Sequence, residues 1–456
     1  MRHSWVDSDV QNGQTYYYAV VSYDSGFTTI SADGKLEGIS PAESPSVIKT
    51  DLTGRVTFAD INTAVVTPGP PVAGYIESGL DGDIMHKGPG TGYIDVQILD
   101  PSKLREGIQT YEVIFMDSTK HHTDKVPEYY IKHVESNTVV IDTSLAVVKG
   151  GESGIFDGLV VNIYNDSSVT YNSYYSGWVK GESDYVVKVR ISPKFDFGRF
   201  TINLPFPADI EISFHDSMVS VSEPKMGTSA ISTNFKIFNV TDSTYMDFMV
   251  LDNNRDKKFD FATDDIVVII PDDESIFKFW TSWVVNFRPI LEIDTLIAAQ
   301  GDTTYDTTWV TIDPPSPGDV FEIVTAKPFR TGDVFRFSIK SPDYSTEKAK
   351  RDLDDIIVVP NPYVVTASWE PPNRYRFGRG ERKIGFFNLP KKCTIRIYTV
   401  RGYLVDTIEH DSSMDRGFEF WDLISKDGMD IAYGMYIYNI DAPGIGKKTG
   451  KFAVIK

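Results

Sequence analysis

The chain has 456 residues, with 45 Lys plus Arg against 64 Asp plus Glu and a formal net charge of -19, a balance that repels nucleic acid and anionic lipid and favours cations as charged partners. Its length suggests about two to four domains, and a single cysteine, Cys393, excludes an intrachain disulfide framework or a site built from several thiols. No apolar run of about 18 residues is present, so no helix is expected to span a membrane, and "MRHSWVDSDV" lacks the apolar core of a signal peptide.

Aromatic residues make up 13% of the chain, and long runs of good helix formers are nearly absent, which favours an all-β chain. In "DVQNGQTYYYAVVSYD" a turn at Asn12-Gly13 leads into a strand with Tyr16, Tyr18 and Val20 on one face and Tyr17, Ala19 and Val21 on the other. This stretch resembles the F strand of a fibronectin type III domain, with Tyr16 in the place of that family's corner tyrosine, and "SPSVIKTDL" would be the G strand. The resemblance implies that residues 1–50 hold only the last strands of such a domain, with the natural protein extending upstream of Met1. The alternative is a hairpin that completes a sheet on another chain and builds filaments by self-assembly.

Pro68-Gly69-Pro70-Pro71 and the glycine-rich "HKGPGTGY" interrupt any ladder and mark residues 51–88 as a linker. Residues 89–350 then read as short alternating segments such as "YIDVQIL", "YEVIF", "LVVNIY", "YVVKVRI", "IEISF" and "VFRFSIK", with turn residues at roughly ten-residue intervals. That spacing predicts one or two antiparallel β-sandwich domains, with an internal boundary near Gly181. "STEKAKRDLDD" is helical or a charged linker, and residues 351–356 are assigned to a linker.

Seven short strands follow over residues 357–456: "VVPNPY", "KIGFFNLP", "CTIRIYT", "YLVDTIEH", "GFEFWDL", "GMYIYNI" and "TGKFAVIK". Cys393, Ile395 and Ile397 alternate with Thr394 and Arg396, so one face is buried and Cys393 is a small core residue rather than a nucleophile. Asn361-Pro362 is expected to fix an extended backbone, Gly402 and Gly428 to supply positive-φ turns, and Trp421 to anchor the core.

The combination of Pro360-Asn361-Pro362-Tyr363, Ile384, Phe386, Leu389, "IRIYTVRGYLV", Gly417, Trp421-Asp422, Asp427-Gly428 and "IAYGMYIYNI" resembles two related groups. These are the Ig-like domain of flagellar hook-capping proteins and the C-terminal sorting domain of proteins exported by the type IX secretion system. The latter resemblance implies an address read by outer-membrane secretion machinery, after passage of the inner membrane on a cleavable signal peptide. A plain Ig-like module with no sorting role is the alternative, because a fold does not fix a function.

The candidate site is "LDNNRDKKFDFATDD". Asp252, Asn254, Asp256, Asp260 and Asp264 offer oxygen ligands, and Lys258 a backbone carbonyl, for a structural Ca2+ ion, which takes six to eight oxygens. Lys257 stands where an EF-hand has glycine and Thr263 where it has glutamate; the competing reading is a solvated turn in which Asp and Asn cap their own backbone. In "DSTKHHTDK", His121 and His122 with Asp117 and Asp124 could ligate a transition metal, but a solvated loop is favoured. Tyr174, Tyr175, Trp178, Trp280 and Trp283 invite stacking on polysaccharide, although aromatics in strands more often fill cores.

The expected function is a non-catalytic secreted or cell-surface protein, serving adhesion, surface or filament structure and carried outward by its terminal domain. The alternative is a set of ancillary, carbohydrate-binding modules of a secreted hydrolase whose catalytic part lies upstream or within residues 89–350. No pair of the 64 acids stands out as a glycosidase pair.

Overall fold

The computed structural model describes residues 5, 7–30, 33, 36–50, 56–121, 127–145, 151–166, 168–191, 202–289, 295–297, 303–305, 313–364 and 382–455. About half of the chain is strand and only 3% is helix, so the chain is all-β, and almost every strand pair is antiparallel. Among the described residues no helix is long and apolar enough to cross a membrane. The chain divides into two compact units, one of Leu80–Lys340 and one joining Ser4–Gly79 to Ser341–Lys456.

The first unit holds two sandwiches. In one, strands Thr138–Leu145, Glu128–His133, Ile108–Met116 and Val334–Lys340 form a sheet in that order, opposite Tyr93–Ile98, Leu159–Tyr164 and Gly151–Glu152. Period-two alternation sends Tyr111, Val113 and Phe115 inward, where Tyr111 pairs with Phe337 and Val113 with Phe335 across the ladder. The second sandwich lies within residues 170–326, between two strands of the first. Its sheets are Gly177–Lys180, Val320–Ile323, Ile210–Phe214, Phe235–Asn239 and Thr244–Tyr245, and then Tyr185–Ile191, Phe279–Pro289, Asp265–Pro271 and Asp247–Leu251.

Asp265–Pro271 is apolar at every interior position because both of its faces are covered. Ile266, Val268 and Ile270 fill the core between the sheets, and Val267 and Ile269 join a smaller cluster with Met249, Val284 and Ile202. Near the expected boundary, Gly181 turns the chain from one sheet of this sandwich to the other at φ 73°, against the side chain of Asp319.

In the second unit the seven predicted C-terminal segments give eight strands, because "VVPNPY" divides into two, and these make one sandwich. Ile357–Val359, Ile384–Phe387 and Phe418–Trp421 face a sheet ordered Tyr363–Val364, Gly446–Ile455, Gly434–Ala442, Lys392–Thr399 and Leu404–Asp411. Residues 360–362 form a bend instead of the expected extended run, with both prolines preceded by cis peptide bonds, and the chain thereby crosses from one sheet to the other. Asn361 covers the edge of the last strand, its Nδ2 donating to the Lys451 carbonyl at 3.2 Å and its Oδ1 accepting the Ala453 N–H at 3.2 Å.

Trp421 is 2% exposed, and its Nε1 donates to Asp406 Oδ2 at 2.8 Å, so the polar end of the anchor is satisfied. Gly402 and Gly428 have φ of 83° and 76°, as expected of turn glycines. Burial pushes the Cys393 thiol up to about 12, which leaves it an inert core group.

Residues 351–356 and the 70–74 part of residues 51–88, both expected to be linker, carry buried side chains in this unit, whereas Met85–Lys87 pairs with Val334–Lys340 in the first. Thr346–Asp352 is a helix capped by Ser345, and Leu353 and Ile356 from residues 351–356 lie in the sandwich core. Residues 70–74 run along the domain as a strap: Val72 N–H donates to the Met414 carbonyl, Ala73 N–H to that of Leu389, and Gly417 N–H to that of Pro70. Val72 and Ala73 are buried, so the proline-rich stretch is a fixed part of the domain.

Upstream, Tyr16–Ala19 pairs with Thr63–Val66, not with "SPSVIKTDL", whose Ile48–Thr50 strand pairs with Val56–Ala59. The Tyr16 hydroxyl does accept the Gln11 N–H at 2.8 Å, the hydrogen bond of a tyrosine corner.

Candidate functional site

The Asp252–Asp264 segment joins Asp247–Leu251 to Asp265–Pro271, so its ends are held by neighbouring rungs of one ladder. Its side chains organise their own backbone. Asp252 Oδ1 accepts the Arg255 N–H at 2.6 Å and the Asp256 N–H at 3.2 Å, while its Oδ2 accepts the Lys257 N–H at 2.8 Å. Asn254 Oδ1 takes the Asp256 N–H, Asp256 Oδ1 the Lys258 N–H and Asp260 Oδ1 the Ala262 N–H.

Asp264 is 1% exposed and closes the loop from within: Oδ1 accepts the Asn253 N–H and Oδ2 the Asp260 N–H, each at 3.0 Å. Arg255 and Lys257 sit at φ 63° and 62°, in the left-handed region where a non-glycine residue costs about 1–2 kcal/mol. Lys257 therefore adopts the backbone that an EF-hand gives to glycine. Among the described residues, however, no group of three or more His, Cys, Asp or Glu side chains gathers closely enough to hold a metal ion. The four aspartates of the predicted ligand set, Asp252, Asp256, Asp260 and Asp264, share one loop without forming such a group.

The remaining candidates separate by burial. Trp283 is buried, with Nε1 donating to the Phe206 carbonyl, and Trp178 packs among Phe214, Phe287 and Phe321. Tyr174 and Tyr175 are exposed and meet edge to face at 4.9 Å on a turn whose N–H groups are capped by Asn172. His122 and Asp124 lie outside the described residues.

His121 is engaged by an acid that sequence reading did not single out. Asp272 is 7% exposed and accepts hydrogen bonds from Lys120 Nζ at 2.8 Å and Trp280 Nε1 at 2.7 Å, and its Oδ2 lies 3.2 Å from His121 Nε2. Lys120 foremost, then Trp280 and His121, hold its carboxyl well below the usual carboxylate range. Nothing local in "IIPDDES" marks Asp272 over Asp273, because Lys120 and His121 come from a loop about 150 residues away.

No family model matches the sequence, and no curated protein matches it. Among solved structures, one similar chain is PorZ, an essential bacterial surface component of the type-IX secretion system of Porphyromonas gingivalis. It aligns with 75% of this chain and 58% of its own length, at 11% identity and a TM-score of 0.19. Dimeric latent PorU of the same organism aligns with 88% of this chain and 35% of its own, at 12% identity and a TM-score of 0.16. A biofilm-associated protein BSP domain aligns with 80% and 81%, at 10% identity and a TM-score of 0.13. This chain thus spans less than two thirds of PorZ and of PorU, and TM-scores this low do not establish a shared fold.

Proposed function

We propose that this chain is a non-catalytic, all-β part of a secreted or cell-surface protein, exported through residues 357–456 acting as a type IX sorting domain. The observation that carries the reading is the way the motif residues combine into one sandwich. Pro360-Asn361-Pro362-Tyr363 switches sheets and covers the last strand, Trp421 and Phe452 meet edge to face in the core, and Gly402 and Gly428 make turns. The test is surface display of the chain, placed behind a cleavable signal peptide, in a host with a working type IX translocon and in one without. Display only in the first host supports the reading, and retention in the periplasm of both overturns it.

Calcium is a separate proposal for the Asp252–Asp264 loop, supported by the Asp252, Asn254 and Asp256 spacing and by the EF-hand-like backbone at Lys257. Binding would draw carboxylate oxygens of Asp252, Asp256 and Asp260 toward a common point. Calorimetric heat on adding calcium, with a melting temperature that falls on chelation, is the expected result. No heat and no shift would leave a self-capped turn.

A further inference from the structure

A cluster around one buried lysine in the second sandwich carries chemistry unrelated to the loop. Lys327 is 4% exposed, and its Nζ lies 2.6 Å from Asp209 Oδ1 and 2.8 Å from the Thr325 carbonyl. Asp209 immediately precedes strand Ile210–Phe214, and Lys327 immediately follows the short strand Thr325–Ala326. Both are pinned. The Thr325 N–H donates to Asp209 Oδ1 at 2.8 Å, the Asp209 N–H to Thr241 Oγ1 at 2.9 Å, and the Lys327 N–H to Thr91 Oγ1 at 2.7 Å.

A second and a third acid stand beside the pair. Glu322 lies directly across the ladder from Glu211, which is two residues beyond Asp209 and so on the same face of its strand. Like charges placed opposite each other destabilise a sheet. Burial, then the charges of Asp209 and Glu211, raise the pKa of Glu322 against the opposing effect of Lys327, so its carboxyl keeps a proton to higher pH than an ordinary glutamate. An ion pair accounts for one lysine and one aspartate. It does not account for two further carboxyls crowded beside them.

We propose that Asp209 and Lys327 become joined by an intramolecular isopeptide bond, with Glu322 relaying the proton. One proton passes from Nζ to the Asp209 carboxyl, leaving a neutral amine facing a neutral acid. Nζ then attacks Asp209 Cγ and a carbon–nitrogen bond forms. Glu322 donates its proton to the departing hydroxyl and regains one from the nitrogen as the carbon–oxygen bond breaks. Ammonium and carboxylate thereby become one secondary amide and one water, with no change of oxidation state and no co-reactant. The bond ties the start of Ile210–Phe214 to the segment that leaves the inserted sandwich, so a pull along the chain cannot extend residues 210–326.

Intact-mass spectrometry of the purified full chain tests this directly. The expected mass is lighter than that encoded by one water, and digestion should yield a branched peptide joining Asp209 to Lys327. Lys327→Arg, which keeps the cation but removes the primary amine, should restore the encoded mass and lower the melting temperature. Glu322→Gln should fold by circular dichroism yet remain largely unlinked. The encoded mass in the unaltered chain, or a water loss without the branched peptide, overturns the proposal; complete linkage in Glu322→Gln overturns the role of Glu322.

Discussion

The C-terminal sandwich and the upstream ribbons within residues 5–66 are both made of short, mostly antiparallel strands, yet among the described residues only one of them has a core. In the sandwich, Ile384, Phe386, Ile395, Ile397, Ile440 and Phe452 are all essentially inaccessible. In the ribbons, Tyr17, Val20, Tyr23, Phe27, Ile39, Phe58 and Ile61 are exposed, and among the described residues the first buried apolar side chain is Val72. Backbone pairing alone does not offset the entropy of ordering a chain; apolar burial must supply the difference, and two-stranded ribbons are marginal without it. The contrast predicts that stability in this unit resides in residues that close the sandwich.

The largest effect is expected at Trp421. Trp421→Ala removes the biggest core side chain and leaves a cavity, which should cost about 3–5 kcal/mol in denaturant unfolding of the C-terminal sandwich. A smaller loss would mean that Phe452 and Tyr436 collapse into the space. Val72→Ala tests whether the strap belongs to the same core. It removes two buried methyl groups and should cost about 2 kcal/mol, whereas a free linker would show no change.

The strap exposes what the sequence could carry. The terminal strands were legible because Cys393, Ile395 and Ile397 alternate with polar residues and glycines mark the turns, all of them local signals. Pairing partners were not legible. The fibronectin resemblance makes "SPSVIKTDL" the G strand beside Tyr16–Ala19, but Thr63–Val66 takes that place. Ile108–Met116 pairs with Val334–Lys340 across an inserted sandwich, and periodicity reports which face is buried without reporting which strand lies alongside. The candidate site shows the same division. The acidic spacing from Asp252 to Asp264 was visible, while the use of those oxygens on backbone N–H groups depends on the left-handed turns at Arg255 and Lys257. The Asp209–Lys327 contact joins residues that no local pattern connects.

A smaller effect is expected between the two sheets. His410 is buried on Leu404–Asp411 and its Nδ1 lies 3.1 Å from Glu419 Oε2 on Phe418–Trp421. Burial works to raise the Glu419 pKa, but the hydrogen bond with His410 and the Arg416 charge prevail and hold it below the usual glutamate value. A depressed carboxyl pKa stabilises the fold above the unfolded-state value, and that contribution disappears as pH falls through the folded-state value. Glu419→Gln should therefore cost about 1 kcal/mol at neutral pH and flatten the acid limb of the stability profile. An unchanged acid limb would show that the pair adds nothing.

The smallest effect is expected in the ribbons, and it decides whether the comparison is real. Tyr17 is 47% exposed on the face of Tyr16–Ala19 opposite the tyrosine corner. Tyr17→Ser should shift the stability of the isolated chain by less than about 0.5 kcal/mol, as for exposed positions without special contacts. Backbone amides of Tyr16–Ala19 should exchange with solvent well before those of Lys392–Thr399, because local opening there exposes little new apolar surface. If Tyr17→Ser instead unfolds the ribbon, or if its amides exchange as slowly as the sandwich, an apolar partner covers that face in solution. The difference between the two regions would then lie in what each is packed against.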